Sequence, residues 1–319
     1  MRFPIVSHRN IWYTFSGILI ILSILSAGVW GFNLSLQFTG GVLVKYSFSQ
    51  QVPNKEDLKN FVLKTQDEFN TGKQDAEKIH IGTPVITPSG DKMFNVRYRT
   101  PSTTQQNSYI DFESTLSKKV EASLKGKKES SQMISASVGE VLKVRALWAT
   151  FLSVVAIVLY IIFAFRKLPK QYNPLVFGFN TIFALFHDII VLTGVFVLLG
   201  AFFDVEMGPY FITALLTILG YSVNDTIIVF DRVRENIAGP MKGKSIEEVT
   251  EESLWQTMPR SIHTSSTVLI TLAALLILGA EALHTFILAL FIGVIIGTYS
   301  SIFLAAPLLV TFKKYLLRK

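Results

Sequence analysis

Cysteine is absent from the 319 residues, which excludes a disulfide framework and a thiolate metal site. Charge is scarce too. Only 17% of residues are Asp, Glu, Lys or Arg against 50% hydrophobic, and the mean hydropathy of +0.43 is too high for an ordinary soluble domain. Signatures of catalysis are missing as well: no HExxH, no phosphate loop, no Gly-rich dinucleotide fingerprint and no nucleophile paired with a base. The glycines of Phe38-Thr39-Gly40-Gly41 lack the lysine and the strand-to-helix context that a phosphate loop needs. The expectation is a non-enzymatic chain without metal or cofactor.

What is present is a set of long apolar runs. Residues 11–30, 146–165, 175–200, 209–230, 261–279 and 286–312 are each apolar for long enough to cross a bilayer, so six transmembrane helices are predicted. The first run, about 20 residues, is long for the core of a secretory signal and reads as an uncleaved anchor. The organisation expected is an N-terminal segment with the first span (1–30), an α+β domain (31–145), and five further spans (146–319) with a loop at about 231–260.

Loop charge orients the bundle. Residues 1–10, 166–173, 231–260 and 313–319 hold 14 of the 30 Lys and Arg, whereas 201–208 and 280–285 hold none. The positive-inside rule then places both termini and the 231–260 loop in the cytoplasm. The other 16 basic residues lie in the 31–145 stretch beside 12 acidic ones. That stretch is therefore extracytoplasmic and only mildly basic, and nucleic acid is not an expected partner despite the net charge of +7.

Within 31–145 the order reads β-α-β-β-α-β, a ferredoxin-like module. Strands are expected at 34–48 with a kink at Gly40-Gly41, at 79–86, at Phe94, Val96 and Tyr98 by alternation, and at 133–138. Between them Asn54 is placed to cap a helix burying Leu58, Phe61, Val62, Thr65 and Phe69. A Thr103/Gln106 capping box is placed before a second helix burying Tyr109, Phe112, Leu116 and Val120. Pro88 to Asp91 reads as a turn. Near the other end of the chain, Ser245 and Glu248 form a capping box for a short amphipathic helix, either solvated or docking a partner.

Inside the fourth run stand Asn224 and Asp225. A carboxylate at mid-span costs about 2.5 to 3.5 kcal/mol and is by default a functional group on an ion or proton path. Arg260 opens the fifth span, with Thr264, Thr267 and Thr271 at helical spacing beyond it and Ser261, His263 and Ser265 widening the stripe. The third span contributes Asn180, His187 and Asp188. A cluster of Asp225, Asp188, Arg260 and hydroxyls would let desolvation favour the neutral acid and the guanidinium favour the anion. A static Asp225–Arg260 salt bridge is the plainer alternative, and His187 reads equally as structural. Gly293 and Gly297 form a GxxxG pattern suited to close helix packing, and Tyr299, Ser300 and Ser301 read as interhelical hydrogen-bonders.

Gly220-Tyr221-Ser222-Val223-Asn224-Asp225-Thr226, followed by Val229-Phe230-Asp231-Arg232-Val233-Arg234-Glu235-Asn236, resembles the signature of the SecF family, membrane subunits that partner SecD in bacterial Sec-dependent export. Gln37 to Gly41, His187-Asp188, Arg260 with Thr264 to Thr267, and Gly297 to Ser301 agree with it, although Gln37 stands where the family commonly has aspartate. The resemblance implies half of a twelve-span unit related to RND transporters, in the bacterial cytoplasmic membrane. It further implies that SecD supplies the other six spans and that proton-motive force assists preprotein passage through SecYEG with SecA. It implies proton-relay roles for Asp225 and Arg260, to which the reading above adds Asn224, Asp188, Thr264 and Thr267. Gly40, Gly41, Asp231, Arg232, Gly293 and Gly297 are expected as structural motif positions. The competing expectation is half of an RND-like proton-driven exporter of small hydrophobic molecules.

Overall fold

The computed structural model describes residues 3–49, 53–75, 77–89, 92–100, 106–166, 174–280 and 283–316. Thr103 of the expected capping box, Gly90 and Asp91 of the expected turn, and most of the 166–173 connection lie outside them. Two compact units are present, one of Met1–Asn33 with Leu147–Lys319 and one of Leu34–Ala146. Helix α1 (Arg9–Trp30) belongs to the first.

The second unit contains α2 (Leu36–Thr39), β1 (Gly41–Phe48), α3 (Lys55–Asn70), β2 (Val85–Pro88), β3 (Met93–Tyr98), α4 (Gln106–Leu124) and β4 (Gly126–Ile134). The sheet order is β2-β3-β1-β4 with every pair antiparallel, the ferredoxin-like arrangement in which β3 lies between β1 and β2. Alternation decides which face is buried. Val42, Val44, Tyr46 and Phe48 of β1 and Phe94, Val96 and Tyr98 of β3 point into one core with Leu58 and Val62 of α3 and Tyr109, Phe112, Leu116 and Val120 of α4.

Four expectations are corrected in this unit. The chain is extended only from Gly41, because α2 occupies Leu36–Thr39 and ends where Gly40 (φ +70°) and Gly41 (φ +138°) turn it. A side chain at Gly40 would sit 2.6 Å from Ala136 Cα, and one at Gly41 would strike the Tyr98 carbonyl, so both glycines are required. The strand expected at 79–86 is formed only at Val85–Pro88. Ile79 is nevertheless fully buried, because Asn70 takes the place of a neighbouring strand: its Oδ1 accepts from Ile79 N (2.9 Å) and its Nδ2 donates to Ile79 O (2.8 Å). The closing strand lies earlier than 133–138, since α5 already begins at Ala136. Lys127 to Gln132 hide it from a hydrophobicity reading because both faces of this edge strand are solvent-exposed. Asn54 holds the N-cap position of α3, but its side chain makes no capping bond.

Helix α5 (Ala136–Ala164) carries the chain into α6 (Pro174–Phe203), α7 (Pro209–Ala238), α8 (Ile246–Leu278), α9 (His284–Ser300), a π-helical turn at Ser301–Ala305, and α10 (Ala306–Leu316). Counting the α9-to-α10 run as one, six helices are long and apolar enough to span a membrane. Small residues set the close contacts. The buried residues of α1 are Ser16, Ser23 and Ser26, and Ser23 occupies the space a side chain at Gly194 of α6 would need. A Cβ at Gly293 would collide with Ile218, and one at Gly297 would lie 2.9 Å from Ser222 Cβ, so the GxxxG face seats α9 directly on α7.

The 231–260 stretch is mainly helix rather than loop. Helix α7 runs on to Ala238, and α8 starts at Ile246 under a cap in which Ser245 Oγ accepts from Glu248 N (3.2 Å). The short amphipathic helix and the fifth span are therefore one 33-residue helix that continues through Pro259. Its first turns are anchored by Val249 and Leu254, the latter packed with Val229, Ile302, Ala306, Val310 and the N-terminal Ile5 and Val6. Glu251 accepts from both Ile5 N (2.9 Å) and Val6 N (2.7 Å), a charge-assisted clasp on the start of the chain.

Candidate functional site

Among the described residues two carboxylates are buried in the bundle, Asp188 and Asp225, and the structure keeps them apart. Asp225, on the inward face of α7, is 3% exposed. Ser261 Oγ of α8 donates to its Oδ1 at 2.9 Å, while its Oδ2 is buried with no hydrogen-bond partner among the described residues. Arg260 immediately precedes that serine on α8. Its side chain lies on the exposed side of α8, and among the described residues no ion pair joins it to Asp225. The static salt bridge is thus not formed. Among the described residues a single hydroxyl holds the acid.

Asp188 of α6, 2% exposed, is held by different groups. Ser222 Oγ (2.5 Å) and Ser300 Oγ (3.0 Å) donate to Oδ2, and His187 Nδ1 lies 3.0 Å from Oδ1. These come from α7, α9 and α6, so Asp188 ties three helices together. The single cluster of Asp188 with Asp225 and Arg260 expected from the sequence is not what the helices assemble. Ser222 and Asp225, three residues apart on α7, each bind one partner across a different seam. Asn180 lies further along α6 and donates to Ala305 O at 2.6 Å, at the end of the π-helical turn. Thr226 Oγ1 lies 3.1 Å from Ser301 Oγ at the start of that turn.

The threonine stripe is oriented differently from the expectation. Thr264, Thr267 and Thr271 are exposed, and each hydroxyl donates to a backbone carbonyl of its own helix at 2.8 to 3.0 Å. Asn224 is likewise exposed on α7. Ser261 and Ser265 are the buried hydroxyls of α8. Ser265 Oγ accepts from Tyr221 Oη (3.0 Å) and lies 2.6 Å from Thr298 Oγ1, linking α7, α8 and α9. The outward face of the α7–α8 pair is therefore polar at membrane depth, which a lipid surface would not favour. Asp231 and Arg232 stand beyond the span: Asp231 pairs with Arg234 (2.5 Å), and Arg232 pairs with Glu235 (2.7 Å) and donates to Gln256 (2.5 Å).

Several of these residues carried little sequence signal. Ser222, Thr226 and Ser261 are ordinary residues until the helices are packed; their clue was proximity to a charged residue, Thr226 and Ser261 directly beside Asp225 and Arg260 and Ser222 three positions before Asp225. Glu251 gave none, because its partners are backbone amides 245 and 246 residues away.

Six helices long and apolar enough to span a membrane, among the described residues, with a separate α+β unit, define a polytopic membrane protein. Comparison with known proteins narrows this. Residues 114–315 match the family model described as "Protein export membrane protein SecD/SecF, C-terminal". The protein translocase subunit SecF of Thermobaculum terrenum is 35% identical over 314 residues, covering 97% of this chain and 93% of its own length. That of Haemophilus influenzae is 32% identical, covering 93% and 82%. Among solved structures, SecDF from Thermus, described as a translocon-associated membrane protein, superposes with a TM-score of 0.77 at 30% identity over 98% of this chain. This chain spans 39% of that protein's length. The chain belongs to the SecD/SecF family: it is a multi-pass inner-membrane protein with an RND-like helical fold, and its role lies in Sec-pathway protein export.

Proposed function

We propose that this chain is the SecF-like half of a SecDF unit that uses the proton-motive force to assist preprotein translocation through SecYEG with SecA, and that Asp225 is the group that takes up and releases the proton. The observation that carries this reading is the environment of Asp225. It is an acid within a span, 3% exposed, with one oxygen held by Ser261, the other unpartnered among the described residues, and Arg260 next to that serine on α8. Burial favours the neutral acid and the positive charge favours the anion, so a small displacement of Arg260 changes proton affinity. No ion pair among the described residues fixes Arg260, which is exposed on α8. Asp188, with three donors satisfied, is suited to holding helices rather than to exchanging protons.

A SecD-like six-span partner covers the outward polar face formed by Asn224, Thr264, Thr267 and Thr271. The Thermus SecDF comparison favours this arrangement, since a single chain there is more than twice as long as this one. Both termini are cytoplasmic by the positive-inside rule, the α+β unit lies outside, and its movement acts on the emerging preprotein; no chemical catalysis is involved. The translocase names of the relatives favour polypeptide over small hydrophobic molecules as cargo. Asp225→Asn preserves shape and removes the titratable proton. In membrane vesicles it is expected to lose proton-driven export stimulation while still co-purifying with the six-span partner. Export equal to the parent's would refute the relay role.

A further inference from the structure

Glu251, in the first half of α8, stands outside the candidate site, yet both of its oxygens are engaged. Oε1 accepts from Ile5 N at 2.9 Å and from the Trp255 indole at 3.0 Å, and Oε2 accepts from Val6 N at 2.7 Å. We propose that Glu251 is a positioning residue: by clasping the start of the chain it seats the first half of α8, and through it the Ser261 hydroxyl that holds Asp225. Its importance for transport rests on the reading of Asp225 as the proton carrier.

Pro259 gives the clasp its leverage. It lies inside α8 and has no N–H to donate to the turn before it, so it marks where the helix bends most easily. Arg260 and Ser261 follow directly. Where Ser261 points therefore depends on how the half before Pro259 is seated, and that half is held on two sides. Towards α7, Asn236 Nδ2 donates to Ser253 Oγ at 2.8 Å. On the other side Leu254 is fully buried with Ile5, Val6, Ile302, Ala306 and Val310, and Arg9 lies 3.9 Å from Glu247. The amides of Ile5 and Val6 precede the first turn of α1 and are buried with their residues, so they need an acceptor. Glu251 supplies it from α8. The chain start is itself fixed, because α1 continues from it: Tyr13 Oη lies 2.8 Å from Thr311 Oγ1 of α10, and Ser16 Oγ lies 3.0 Å from Tyr299 Oη of α9. The clasp thus ties α8 to the group of α1, α9 and α10. The bond it governs is sensitive to small movements, since Ser261 Oγ donates to Asp225 at 2.9 Å and a displacement of about 1 Å breaks such a bond.

The test reads the proton affinity of Asp225 in the full chain in lipid vesicles. Dicyclohexylcarbodiimide, which couples to protonated carboxyls in apolar surroundings, is applied over a range of pH, and the Asp225 adduct is quantified by peptide mass spectrometry, separately from Asp188. The neighbouring titratable and charged side chains stay unchanged in every variant: Arg260 on α8, Tyr221 on α7, which donates to Ser265, and His187 and Asp188 on α6. Ser261→Ala is the reference and is expected to move the labelling midpoint by roughly one pH unit, a tenfold change in proton affinity. Glu251→Ala is expected to move it in the same sense and by a similar amount, and the double variant no further, because both changes remove one bond. Glu251→Gln, with one acceptor oxygen left, is expected to fall between. A parent-like midpoint in Ser261→Ala or in both Glu251 variants overturns the proposal, and so does a double variant whose shift is the sum of the two. If Glu251→Ala loses its helical signal, Glu251→Gln decides by the same criterion. Export retained by Asp225→Asn sinks the proton reading and leaves the positioning role standing; an unmoved midpoint sinks the positioning role and leaves the proton reading.

Discussion

The α+β unit and the helical bundle differ in what accompanies their buried apolar side chains. In the former, fifteen of the described hydrophobic residues form one buried core, and most charged side chains lie outside it. In the latter, Asn180, His187, Asp188, Ser222, Asp225, Thr226, Ser300 and Ser301 are buried, while Phe151, Leu159, Phe163, Phe179, Phe183 and Ile270 are turned outward. The difference follows from the solvent. In water, removing apolar surface drives folding. Among lipid tails that drive is absent between helices, and close contact of small residues with interhelical hydrogen bonds takes its place. The bundle can therefore hold polar side chains between its helices, whereas the α+β unit is organised around its apolar core.

Four experiments sharpen or break that contrast, from the largest expected effect to the smallest. Raising the pH should unfold the α+β unit altogether. Burial pushes the phenols of Tyr46 and Tyr98 above the ordinary value of 10.0. Both must stay neutral in the core but ionise near pH 10 once unfolded. Stability is therefore complete below about pH 10 and falls as the pH climbs toward the raised native values. Hydrogen exchange in β1 and β3 of the full chain at rising pH reads this out, and protection unchanged well above pH 10 would count against it. Phe112→Ala, at a fully buried site against Phe69 and Tyr98, should cost about 3 to 5 kcal/mol, seen as faster exchange in the unit's strands and helices alone.

In the bundle the sensitive change is the addition of bulk. Gly293→Leu forces α9 off Ile218 of α7 and should destabilise by about 1 to 3 kcal/mol, measured as loss of helical signal in denaturing detergent. Ser222→Ala removes one of three donors to Asp188 and should cost only about 0.6 kcal/mol, the average for side-chain hydrogen bonds between membrane helices. A cost of several kcal/mol there would mean that the bundle depends on polar groups as strongly as the α+β unit depends on apolar ones.

Much of this architecture was legible in the chain. Six apolar runs gave six spans, and alternation at Phe94, Val96 and Tyr98 together with helical spacing at Tyr109, Phe112, Leu116 and Val120 gave the ferredoxin-like order, because each pattern is local. Strand β4 was misplaced since an exposed edge strand has no apolar face to display. The continuity of α8 was missed because the polar first half and Pro259 look like a break, and it is packing of Leu254 and the clasp of Glu251 that hold the helix together. At the candidate site the residue types were visible but their grouping was not. Whether Asp188 meets Asp225 or Ser300 depends on the rotation of α6, α7 and α9 about their axes, and residues more than a hundred positions apart set that rotation.

By itself the sequence determined that this is a six-span membrane protein with one α+β unit and an acid inside the fourth span, since hydropathy, periodicity and the cost of a buried charge are properties of short stretches. Only the tertiary structure decided that among the described residues Asp225 is held by Ser261, that Asp188 meets Ser222, Ser300 and His187 elsewhere, and that Thr264 and Thr267 face outward. Those outcomes depend on how closely Gly293 and Gly297 let α9 approach α7, and a contact between distant parts of the chain leaves no local periodicity to read.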